Sequence, residues 1–153
     1  MIWLAVSDVH NAQTKLQRLI EQETLAQGLL FAGDGLTSAL KYKDNFNEFY
    51  AVPGNCDFAF GEQHEKLILY HGKRIFLCHG HRYRVKYEML SLLYRCKEQE
   101  ADICVFGHTH SPMVNWKDGI LFVNPGALLN GSYAIIEQKE DGYINATIKQ
   151  LRR

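Results

Sequence analysis

Five short stretches carry the side chains able to do chemistry. They are Ser7-Asp8-Val9-His10, Gly33-Asp34-Gly35, Gly54-Asn55-Cys56, Cys78-His79-Gly80-His81 and Gly107-His108-Thr109-His110. Asp8, His10, Asp34, Asn55, His79, His108 and His110 together offer two carboxylates, one carboxamide oxygen and four imidazoles, with no thiolate in the set. That is more than one tetrahedral zinc takes. It suits two ions of the manganese, iron or zinc type, each with mixed nitrogen and oxygen donors and room for water. Two divalent ions about 3.5–4 Å apart share a carboxylate. Asp34, central in the order and alone on its loop, is the natural bridge.

Taken singly, each group has a plainer explanation. Asp8 could cap a following helix, although a cap gives no reason for His10. Asp34 and Asn55 could be turn residues beside glycine. His79 and His81 could lie on the surface, and His108-x-His110 could be a chance pair on a loop. What favours chemistry is placement, because every group stands just past the end of an apolar run. In open α/β sheets that edge is where ligands bind.

The runs themselves are legible. Ile2–Val6, Leu29–Ala32 and Phe49–Val52 read as buried strands. Between the first two, Leu16, Leu19 and Ile20 share one face of a helix expected over Thr14–Leu25, and a short helix is expected after Gly35. Leu67–Tyr70 and Arg74–Cys78 flank His71-Gly72 and read as a hairpin. Val85, Met89, Leu92, Leu93 and Cys96 predict a helix over Arg84–Gln99, followed by a strand at Ile103–Phe106. Met113–Trp116 with Ile120–Val123, and Tyr133–Gln138 with Tyr143–Lys149, are hairpins around Asp118-Gly119 and Asp141-Gly142. The predicted fold class is α/β, with two mixed sheets packed face to face and helices outside.

With 153 residues, the chain is expected to form one domain over residues 1–153. Lysine plus arginine equals aspartate plus glutamate at 17 each, which gives no reason to expect broad nucleic-acid or anionic-membrane binding. None of the four cysteines forms a CxxC pair, so a disulfide framework is not expected. The N-terminal apolar run lacks a basic flank and is too short for a signal or a membrane span. A cytoplasmic protein is expected.

SDVH at 7–10, AGD at 32–34, VPGNCD at 52–57, CHGH at 78–81, FGHTH at 106–110 and NPGA at 124–127 resemble the calcineurin-like metallophosphoesterases over nearly the whole chain. The branch resembled is that of the small bacterial and archaeal phosphodiesterases, related to the retromer subunit of the same fold. The resemblance implies one ion held by Asp8, His10, Asp34 and His110. It implies a second held by Asp34, Asn55, His79 and His108. Manganese is the expected metal, with iron, zinc and nickel as the other candidates. Many members carry a histidine after the GN asparagine, where it acts as leaving-group acid. Cys56 stands there instead, and a thiol with a pKa near ~8.5 is a poor substitute. The candidates for protonating the leaving group are then water, His81 or no acid at all.

The expected function is phosphodiester hydrolysis by a bridging hydroxide on a small phosphoester substrate. Two divalent ions set against Asp8, Asp34 and that hydroxide leave about one positive charge, which a monoanionic diester neutralises and a dianionic monoester overshoots. Arg82 and Arg84 are candidate contacts for substrate phosphate, against the plainer reading of a solvated turn. Asn124-Pro125-Gly126 is read as a turn that supports the rim. The alternatives are a phosphomonoesterase of the same fold and a non-enzymatic protein-binding module like the retromer relative. A homo-oligomer is compatible with either.

Overall fold

The computed structural model describes residues 1–58 and 61–152. Its first half alternates strands and helices: β1 (Ile2–Val6), α1 (Gln13–Gln22), β2 (Gly28–Phe31), α2 (Leu36–Leu40) and β3 (Glu48–Ala51). The second half runs β4 (Glu65–Tyr70), β5 (Lys73–Cys78), α3 (Leu90–Glu98), β6 (Ile103–Val105), β7 (Met113–Lys117), β8 (Ile120–Asn124), β9 (Ser132–Gln138) and β10 (Ile144–Gln150). One sheet has the order β10-β9-β1-β2-β3 and the other β4-β5-β6-β8-β7. Both are mixed, since β1–β2–β3 and β5–β6–β8 are parallel and their outer pairs antiparallel.

The unbroken apolar runs follow from burial on both faces. In β1, Trp3 and Ala5 point between the sheets, while Leu4 and Val6 point to α1 and α2. In β5, Ile75 and Leu77 face the other sheet, while Phe76 and Cys78 face α3. Successive strand residues point to opposite faces, so a central strand covered on both sides must be apolar throughout. The result is helix, sheet, sheet, helix, as the fold class required.

Two helices differ from expectation. α1 stops at Gln22, three residues early, and Leu25 is left 78% exposed. The helix predicted from Arg84 begins only at Leu90. Residues His81–Tyr83 form a 3₁₀ turn instead, and Arg84 sits in the left-handed region at φ 55°, which no α-helix tolerates. The Glu88 carboxylate then accepts from the amides of Leu90 and Ser91, taking up two of the donors that a new helix leaves free.

Candidate functional site

All seven candidate ligands lie at one rim, where strands from both sheets end. Asp8 and His10 follow β1, Asp34 follows β2 and Asn55 follows β3. From the other sheet, His79 follows β5, and His108 and His110 follow β6. Asp8, His10, Asp34, His108 and His110 all adopt positive φ, between 50° and 71°. Left-handed backbone at non-glycine residues is costly, and such strain clusters where function fixes it.

The donors converge. Asp8 Oδ1 lies 3.2 Å from His110 Nε2, 3.7 Å from His10 Nε2 and 3.9 Å from His79 Nε2. Asp34 Oδ2 lies 3.2 Å from His79 Nε2 and 3.9 Å from His10 Nε2. His79 Nε2 is also 3.0 Å from Asn55 Oδ1 and 3.2 Å from His108 Nδ1. Asp8 Oδ1 and His10 Nε2 are buried atoms with no hydrogen-bond partner among the described residues. An orphaned, wholly buried carboxylate oxygen is costly unless something positive meets it.

Neighbouring groups aim these donors. Ser7 Oγ donates to Asp8 Oδ2 at 2.6 Å and the His108 amide donates to it at 3.1 Å, leaving Oδ1 to point into the cluster. His79 Nδ1–H donates to the Ala32 carbonyl at 2.7 Å, which turns the Nε2 lone pair toward the other ligands. Nε2 then faces the oxygens of Asp34 and Asn55, and a positive species between them, a proton on Nε2 or a metal ion, satisfies all three. Such a donor set, aimed by outer hydrogen bonds, fits divalent metal.

Burial alone would raise the Asp34 carboxyl. The imidazole of His79, the Cys56 amide and His10 outweigh it and hold the group at about 2. Burial pulls His81 down to about 4, helped by the charges of His79, His108 and Arg82. At that value His81 is largely neutral near pH 7. Burial and the Asp34 carboxylate push the exposed Cys56 thiol up, so it gives up its proton less readily than an ordinary thiol.

The Arg84 guanidinium lies over the Tyr87 ring, 5.5 Å from its centroid. Arg82 is exposed, and its charge bears on His81. The charge of Lys86, also exposed, bears on His108. Asn124 does support the rim. Its Nδ2 donates to Gly107 O at 3.2 Å and Thr109 Oγ1 at 2.9 Å, and its Oδ1 accepts from the Gly126 amide at 2.9 Å.

Asp57 was not assigned a role from the sequence. Its carboxylate accepts four backbone amides, Asp34 and Gly54 on Oδ2 and Gly35 and Leu36 on Oδ1. The signal available in the sequence was an acid three residues past Gly54 in a loop rich in turn residues.

The profile of the calcineurin-like phosphoesterase superfamily domain matches residues 1–141. The chain is 33% identical over 146 residues to the probable metallophosphoesterase YsnB of Bacillus subtilis, covering 90% of this chain and 85% of YsnB. It is 30% identical over 147 residues to the phosphodiesterase YfcE of Escherichia coli K12, covering 80% and 76%. Among solved structures, wild-type Vps29 of Entamoeba histolytica in complex with Zn²⁺ shares the fold, with a TM-score of 0.75 at 21% identity, covering 99% of this chain and all of that one. Motifs, layered sheets and the cluster at their common rim all agree with these matches, and the chain belongs to the calcineurin-like phosphoesterase superfamily.

Proposed function

We propose that this chain is a phosphodiesterase with two divalent ions, manganese being the first choice, acting on a small phosphoester. In this reading Asp8, His10, Asp34 and His110 hold one ion, and Asp34, Asn55, His79 and His108 hold the second. The observation that carries it is the pair of buried atoms Asp8 Oδ1 and His10 Nε2, set among further donors and without a hydrogen-bond partner among the described residues. Bound ions of this kind activate water at neutral pH and stabilise charge developing on phosphoryl oxygens.

The chain's own residues do the rest. Asp34 joins the two half-sites through one carboxylate. Asn55 contributes an oxygen without adding negative charge, which keeps the rim electrophilic. Lys86 adds positive charge on the His108 side, where substrate phosphate would lie. Neither Cys56 nor His81 offers a ready proton. Substrates whose alcohol leaves without protonation are therefore favoured, and diesters with acidic, aryl leaving groups should turn over faster than alkyl ones. No described helix is long and apolar enough to cross a membrane. The four free cysteines fit a reducing, cytoplasmic setting.

The test is a chelated preparation reloaded with manganese and assayed on an aryl phosphodiester and the matching monoester. Loss on chelation, recovery with manganese and preference for the diester are expected. Full turnover without metal would refute the mechanism, and a monoester preference would make the chain a phosphomonoesterase. Tight metal binding without turnover of either ester would favour a binding module.

A further inference from the structure

We propose that Asp57 is the positioning residue that keeps the bridging carboxylate and the second-ion ligand in register; this rests on the two-ion reading above. Its two carboxylate oxygens accept at 2.9 Å from Asp34 N, 2.9 Å from Gly54 N, 2.9 Å from Gly35 N and 3.2 Å from Leu36 N. Two separate loops are thereby gathered on one side chain, the one after β2 that carries Asp34 and the one after β3 that carries Asn55. The return bond runs the other way, since the Cys56 amide donates to Asp34 Oδ1 at 2.8 Å. The two loops also approach closely at Gly33 and Gly54. A Cβ on Gly33 would lie 2.7 Å from Gly54 N, and one on Gly54 would lie 2.1 Å from Asp34 Oδ1.

The chemistry calls for a carboxylate. Four convergent N–H donors need four acceptor lone pairs, which two ionised oxygens supply. A carboxamide has one oxygen, and its NH₂ would point at two amide donors. No hydrogen bond joins the Asp57 carboxylate to Asp8, His10 or His110, the other donors of the first ion. Asp8 is steadied separately, by Ser7 and the His108 amide. Asp57 thus bears on one of the first ion's four ligands, Asp34, and on two of the second's, Asp34 and Asn55, so removing its carboxylate should slacken the second ion more than the first. Partners that orient metal ligands are typically worth about 10–100-fold in metal affinity.

The experiment compares wild type with Asp57→Asn by metal analysis after manganese titration, by the electron paramagnetic resonance of bound manganese, and by far-ultraviolet circular dichroism. Wild type should bind two ions that show spin coupling. Asp57→Asn should keep its secondary structure, hold the first ion, bind the second about 10–100-fold more weakly, and show an isolated-ion spectrum until manganese is in excess. A folded Asp57→Asn that binds both ions with unchanged affinity and coupling would overturn the proposal. If that variant does not fold, Asp57→Glu takes its place. It keeps the four acceptor sites, displaces them by one methylene, and is judged by the same two outcomes. Wild type that binds only one ion would sink the two-ion reading itself, a result seen before any variant is made.

Discussion

Asp34 accepts from the Cys56 amide through one oxygen and turns the other toward His79 and His10. Replacing it with asparagine keeps the shape and removes the charge that both ions would share. Asp34→Asn should take turnover to background and metal content from two ions to at most one, as read by metal analysis beside the assay. At Cys56, the missing acid can be restored. Cys56→His should raise turnover of alkyl diesters by about 100-fold or more relative to aryl ones, the scale of general acid help; an unchanged ratio would show that leaving-group protonation does not limit the reaction. The seven candidate ligands were legible because their chemistry is unusual and each follows an apolar run. Asp57 and Ser7 were not, because their work is done through backbone amides and a neighbouring carboxylate, contacts that no spacing in one sequence announces.

Among the elements, the turn before α3 departs furthest from its pattern. Val85 and Met89 fit a helical period, yet Val85 is buried from a turn: its amide bonds Gly80 O, and a Cβ on Gly80 would lie 2.9 Å from Val85 Cγ2. Periodicity reports which residues face the core and cannot tell a turn from a helix that faces it equally well. Arg84 then occupies a left-handed position beside Tyr87. Arg84→Gly should leave kcat/KM within about twofold and hold or raise stability, since glycine adopts that φ without strain. Lys86→Ala should raise KM with little change in kcat. Steady-state kinetics on the two variants tells which cation meets substrate. The loop after β6 is less forgiving, because a Cβ on Gly107 would fall 1.9 Å from Ser7 Oγ. Gly107→Ala should push Ser7 off Asp8, lowering both the melting temperature and manganese affinity.

At the scale of the whole molecule, both sheets and their flanking helices were foreseeable from buried runs and Asp-Gly turns, whereas the order of strands was not. β9 pairs with β1 across the length of the chain, and nothing local in either strand names its partner. The exit of α1 is fixed to the same sheet. The Glu23 carboxylate accepts from Tyr133 on β9, and from Lys149 on β10 at 3.1 Å. Burial raises the Glu23 carboxyl, but these hydrogen bonds outweigh it and hold it below 4.5. The unfolded chain therefore takes up that proton first. The stabilisation is full above the unfolded value and is lost as pH falls through the lower, folded one. Melting curves across that acid range should fall less steeply for Glu23→Gln than for wild type. Tyr133→Phe should cost about 1–2 kcal/mol at neutral pH.

The rim draws on both halves of the sandwich: Asp8, His10, Asp34 and Asn55 come from one sheet, and His79, His108 and His110 from the other. Either ion, held as proposed, would rivet the two layers together. Loading should then harden the entire fold against heat, by about 4 kcal/mol at a thousandfold excess over the dissociation constant. Scarcity of the cation would leave a protein that is softer as well as idle.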